Sequence, residues 1–280
     1  MRNNLKTAVL LAALGGVCMF IGSFWGPTGL VIGLLVGLAM CGGSYWYSDR
    51  LAIRSARAVE VTADQMPQYH SIMTDLCNRA DLPMPRLYVS HNDQPNAFAT
   101  GRGPDHAAVC VTEGLLNTLT WEEIQGVLAH ELSHVRNRDI LIGSVAAAIA
   151  MGITFVASIG RFALIFGGGR SDERNNPIGA LLMLILAPIA AGLIQAAISR
   201  SREFEADASA ARLLGTGEPL ARALEKLELG AQRIPAAVNP AEASAYIVNP
   251  LRGQSVTKFF STHPPTEERI VRLRSNAWTA

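Results

Sequence analysis

The chain has 280 residues, 49% of them hydrophobic and only 17% charged, with a formal net charge of +1 and a mean hydropathy of +0.22. Soluble domains carry about 25% charged residues, so this is not the composition of an ordinary soluble protein, and apolar residues gathered into a few runs point to the membrane. The near-neutral balance, with no basic patch interleaved with aromatics, argues against a nucleic-acid partner.

Residues 1–47 read as a hairpin of two membrane helices. Ala8 to Trp25 and Leu30 to Tyr47 are apolar runs, and Gly26-Pro27-Thr28 between them reads as a tight turn. No A-x-A cleavage signal follows the first run, which separates it from a secretory signal peptide. Trp25 and the Tyr45-Trp46-Tyr47 cluster suit the two interfaces. Gly33 and Gly37 have the G-x-x-x-G spacing that permits close helix packing, here expected within the chain. Residues 48–139 read as soluble. They contain a helix over Pro67 to Ala80, strands over Arg86 to Ser90, Asn96 to Thr100 and Ala107 to Thr112, and a second helix with capping-box spacing at Thr120 and Glu123. Ile124, Val127, Leu128, Leu132 and Val135 form one apolar stripe on that helix.

The same helix carries His130-Glu131-Leu132-Ser133-His134. One turn apart, the two histidines face the same way and can bind one metal ion, with Glu131 beside them to take a proton from water. Cys18, Cys41, Cys77 and Cys110 form no C-x-x-C pair, which suggests neither a disulfide framework nor a cysteine metal site.

Two further apolar runs, Ile140 to Gly160 and Ile178 to Ile198, lie within residues 140–198, and residues 199–280 read as soluble again. Each run is long enough to cross ~30 Å of hydrocarbon at ~1.5 Å per residue. If the helix of His134 continues into the third run, the metal sits about 9 Å from the hydrocarbon. Arg2, Lys6, Arg50, Arg54, Arg57, Arg136, Arg138, Arg200 and Arg202 fall on one side of a four-span model, which places both termini and the soluble segments in the cytoplasm. Segments 161–177 and 230–255 read as irregular. Helices are expected over Glu203 to Leu214, Glu218 to Leu229 and Thr266 to Arg274. An outward and a returning span bring Glu203, Glu205 and Asp207 to the membrane face of the two histidines. Spacing alone leaves all three possible as a third ligand; Glu203 and Asp207 share one helix face one turn apart while Glu205 points away, which favours one of that pair.

Asn96-Ala97-Phe98-Ala99-Thr100-Gly101, His130 to His134 with Asn137-Arg138-Asp139, Arg202-Glu203-Phe204-Glu205-Ala206-Asp207, and Ser261-Thr262-His263-Pro264-Pro265 occur in this order. Together they resemble the HtpX family of membrane metalloproteases, relatives of the CAAX prenyl endopeptidases. The resemblance implies a mainly α fold with a small β-sheet (α+β, a zincin-like catalytic domain) plus four transmembrane helices. It implies one Zn2+ per chain held by His130, His134 and Glu203, with Asp207 orienting a ligand histidine and Glu131 as general base. It further implies a substrate-binding edge strand at Asn96, Ala97, Phe98 and Ala99, and a role for His263 in stabilising the transition-state oxyanion. The expected partners are protein or peptide substrates, membrane proteins among them, and the lipid bilayer. The expected setting is the bacterial inner membrane, in the quality control of its proteins. A structural zinc site would close with four protein ligands, often cysteines, and a transporter would carry ionisable residues inside its spans; neither pattern is present.

Overall fold

A computed structural model describes residues 26–141, 200–233 and 264–279 continuously, with isolated positions between 8 and 23. The first expected span falls mostly outside the described residues. So do the third and fourth spans beyond Leu141, the segment 161–177, most of 230–255, and His263. The described part is mainly helical with one small mixed sheet.

Helix α1 (Gly26–Ser55) contains the one candidate membrane span among the described residues, Gly26–Tyr47. Its 22 residues suffice for ~30 Å of hydrocarbon, and Leu30, Val31, Ile32, Leu35 and Leu38 are exposed. The expected turn is confined to Gly26, at φ +75°; Pro27 already lies in the first helical turn, where its missing N–H costs nothing. The helix also runs past Tyr47, where soluble structure was expected, as far as Ser55. A Cβ on Gly33 would lie 2.4 Å from the Cys18 carbonyl oxygen, and one on Gly37 would lie 3.1 Å from the Gly15 Cα. The G-x-x-x-G face is therefore used within the chain.

The sheet comprises β1 (Ala58–Glu60), β2 (Arg86–Ser90), β3 (Ala97–Gly101) and β4 (Ala107–Thr112), in spatial order β1-β2-β4-β3. The β2/β4 pair is parallel and the other two pairs are antiparallel. Strand β3 forms an edge. Leu87, Val89, Ala97, Val109 and Val111 on one face belong to the main core, with Ile124, Val127, Leu128 and Leu132 of the central helix. On the other face Tyr88, Ala108 and Cys110 are covered by Phe98 and by Ile53 of α1. An Arg86–Asp49 ion pair at 2.8 Å and Arg102 stacked 4.5 Å from the Trp46 ring also join the sheet to α1.

Helix α2 (Pro67–Ala80) ends at Asp81 in the left-handed region, and α3 (Glu113–Thr118) is a short helix capped by Thr112. Helix α4 (Trp121–Arg136) opens with the expected Thr120/Glu123 capping box, a motif whose cap alone contributes about 1 kcal/mol. Glu123 also receives Lys226 at 2.8 Å. Helices α5 (Arg200–Leu214), α6 (Glu218–Arg233) and α7 (Thr266–Arg274) complete the described chain. A Cβ on Gly126 would lie 2.5 Å from the Leu220 backbone nitrogen of α6, so glycine is what lets α4 and α6 approach this closely. The continuation of α4 into the third apolar run does not occur. The helix ends at Arg136, and Arg138 adopts φ +57° before helical structure resumes at Asp139.

Candidate metal centre

The core-facing stripe of α4 buries His130 and Glu131 and leaves His134 half-buried. Their partners come from α5, where Glu203 and Asp207 are buried side by side on one face. Glu205 points outward to Arg212 at 2.6 Å, which removes it from the three carboxylates that spacing left open.

Three donor groups converge. His130 Nε2 and His134 Nε2 are 3.2 Å apart, Glu203 Oε2 lies 3.7 Å from the first and Glu203 Oε1 lies 3.6 Å from the second. Atoms bound at ~2.0–2.1 Å to a tetrahedral ion lie about 3.3 Å from one another; taken one from each residue, the donors here lie within 4.8 Å of one another, a grouping that could hold a small divalent cation. The outer ring nitrogens agree with this. His130 Nδ1 lies 2.9 Å from Asp207 Oδ1, off the line of an ideal hydrogen bond, and His134 Nδ1 lies 3.4 Å from Asp139 Oδ2. A carboxylate at each Nδ1 favours the proton there, which turns both Nε2 lone pairs toward Glu203.

Arginines stand behind both carboxylates. Arg269 of α7, fully buried, donates from Nε and Nη2 to the two oxygens of Asp207 at 2.8 and 2.7 Å. Arg202 Nη1 lies 3.5 Å from Asp139. Burial alone would raise the Asp207 carboxyl, but Arg269 and then His130 outweigh it and hold the group down at about 2. Sequence reasoning assigned Arg269 no role. It sits 62 residues from Asp207 among the other charges of a short amphipathic helix, and no local pattern sets it apart.

Glu131 accepts a hydrogen bond at 2.9 Å from the Ala99 main-chain N–H of β3. Burial raises its carboxyl above the ordinary range, opposed by the His130 and His134 imidazoles. The expected substrate-binding residues divide by register. Asn96 turns its main chain to β4, its carbonyl accepting from the Thr112 N–H and its N–H donating to Thr112 Oγ1, so Ala97 and Ala99 turn theirs away from β4, the Ala99 N–H to Glu131. The Ala97 side chain is buried in the main core, and Phe98 packs on the α1 side of the sheet.

The His134 environment is expected to make metal uptake pH-dependent. Burial pulls its imidazole down, but the Asp139 hydrogen bond and the Glu203, Glu131 and Asp139 charges outweigh that and lift it to about 9. A histidine raised above its unfolded value stabilises the metal-free fold fully below about 6.5, and this contribution is lost as pH rises through about 9. A metal must displace that proton, so affinity is expected to climb toward pH 9 by up to about tenfold per unit. Chelator competition at two pH values checks this; an affinity flat with pH would contradict it.

Comparison with known proteins gives a consistent result. Residues 63–277 match the sequence model of Peptidase family M48. A protein named Protease HtpX homolog from Pelotomaculum thermopropionicum is 48% identical over 279 residues, covering 98% of this chain and 99% of that protein. One of the same name from Desulforapulum autotrophicum is 49% identical over 278 residues, covering 98% of this chain and 90% of that protein. The crystal structure of S. mikatae Ste24p superposes with a TM-score of 0.51 at 20% identity, over 97% of this chain and 65% of that one, a likeness of fold.

Proposed function

The chain belongs to peptidase family M48 and is a metallopeptidase, and from that premise we propose that it is a membrane-anchored zinc endopeptidase whose ligands are His130, His134 and Glu203. The observation that carries this reading is the convergence of His130, His134 and Glu203, whose donor atoms, one from each, lie within 4.8 Å of one another beside Glu131. Imidazole and carboxylate donors with an open position favour zinc among the available divalent ions.

When bound, the ion supplies Lewis acidity, lowering the pKa of water to about 7 and polarising a carbonyl. Glu131 takes the proton of the attacking water and delivers it to the amine that leaves as the peptide C–N bond breaks. Its Oε2 is anchored by the Ala99 N–H, which holds the carboxylate against rotation during both transfers. Asp207, backed by Arg269, keeps the His130 proton on Nδ1 and its lone pair inward. The substrate lies extended along β3 by strand addition, pairing with the outward main-chain groups of Ala97 and with the Ala99 carbonyl, the Ala99 N–H being held by Glu131. His263 is assigned the stabilisation of the oxyanion.

Substrates are protein or peptide chains, and membrane proteins of the bacterial inner membrane are the class we assign, in their quality control. The apolar helix α1 supports that assignment. It runs without a break from an exposed apolar surface into contact with the sheet that ends in β3, so the peptide-binding edge hangs close to the bilayer. In this reading residues 1–47 and 140–198 form two membrane hairpins, and 48–139 and 199–280 are the two cytoplasmic parts of one catalytic unit.

Glu203→Ala is expected to reduce the bound zinc of purified protein to a small fraction of one per chain, because only two of three protein donors remain. Elemental analysis after removal of free metal measures it. Full occupancy in that variant would assign the third ligand to another group.

A further inference from the structure

We propose that Asp139 is the positioning residue for His134, clamped from α5 by Arg202. The proposal rests on the reading of His134 as a metal ligand and extends it to a residue for which the sequence offered no role. Along a continuous helix each residue advances about 100°, so a side chain five positions after His134 would stand about 140° away around the axis. The break in α4 removes that obstacle. Arg138, at φ +57°, folds the chain back, and buried Asp139 reaches the His134 ring with Oδ2 3.4 Å from Nδ1. A left-handed conformation at a non-glycine residue is strained, and such strain gathers where geometry is held for function.

The other histidine has the same arrangement. His130 meets Asp207 at 2.9 Å and Asp207 meets Arg269 at 2.7 Å; His134 meets Asp139, and Asp139 meets Arg202 at 3.5 Å. Each ligand thus has its outer nitrogen on a carboxylate and that carboxylate beside an arginine. The second set has a further property. Asp139 immediately precedes the apolar run that opens at Ile140, and Arg202 follows the run that closes at Ile198. The ion pair therefore ties together the two ends of that apolar segment at the ring of one ligand.

The test uses the full chain in detergent, comparing Asp139→Ala, Asp139→Asn and His134→Ala with the parent. Zinc dissociation constants come from chelator competition, and melting temperatures are taken on metal-free protein. Asp139→Ala is expected to weaken zinc binding by about 10–100-fold, the usual cost of losing an outer partner of a ligand histidine. Asp139→Asn, whose amide oxygen still accepts from Nδ1, is expected to recover part of that loss. A residue serving only to start the next helix or to pair with Arg202 would lower the melting temperature and leave the zinc constant unchanged, and that result overturns the proposal. If His134→Ala binds zinc like the parent, the ligand reading itself falls. If His134→Ala loses zinc while both Asp139 variants keep parental affinity, only the role of Asp139 falls.

Discussion

Glu131→Gln is expected to lower peptide hydrolysis by about 10²–10⁴-fold, the usual contribution of general acid–base catalysis, with metal content unchanged. The substitution is nearly isosteric, so the packing of α4 survives. The Gln carbonyl can still accept the Ala99 N–H that Glu131 accepts at 2.9 Å, and neither histidine nor Glu203 is altered. What disappears is a group able to hold a proton between attack and departure of the amine. Initial rates on a loosely folded protein, taken beside elemental analysis of the same preparations, separate this loss from loss of metal. Equal rates in the two proteins would remove Glu131 from the mechanism.

Arg269→Ala is expected to be among the most destabilising single substitutions outside the proposed metal ligands. The Asp207–Arg269 pair is buried on both sides, joined at 2.8 and 2.7 Å. Removing one partner of such a pair costs about 3–5 kcal/mol, because the other is left as an uncompensated buried charge. At roughly 2–4 °C per kcal/mol for a chain of this size, the melting temperature should fall on the order of 10 °C. The sign of the pH effect follows from the same pair. Asp207 is held at about 2, below its ordinary 3.8, so its contribution is present above 3.8 and is lost as pH falls through about 2. At neutral pH the parent enjoys all of it. Asp207→Leu combined with Arg269→Met should be milder than Arg269→Ala, since replacing both members of a buried pair is often neutral. An unchanged melting temperature in Arg269→Ala would show that the pair does not carry this stability.

Much of the fold was legible where the chain punctuates itself. Pro67–Ala80, Arg86–Ser90, Ala107–Thr112 and Thr266–Arg274 match expectation at both ends, since prolines, caps and clean periodicity bound them. Strand β1 was missed because three residues with an outward valine carry no period, and α3 because six residues are too few for one. The break after Arg136 was hidden for the opposite reason. The apolar character resumes at Ile140 without a glycine or proline, and only the left-handed Arg138 and the contacts of Asp139 reveal the turn. At the site, helical spacing paired Glu203 with Asp207 and set Glu205 apart, and burial agrees. Arg269 and the Ala99 N–H were not legible, because each acts across a separation that only the assembled helices and sheet bring to contact distance.

The central claim is that one ion held by His130, His134 and Glu203 makes this chain a peptidase. The most direct measurement is a zinc titration of metal-free, detergent-purified protein, following cleavage of a loosely folded protein substrate. Cleavage should be absent without zinc and rise to a plateau at one ion per chain. Cleavage that persists in the metal-free protein, or zinc that binds at that stoichiometry without restoring it, would contradict the claim.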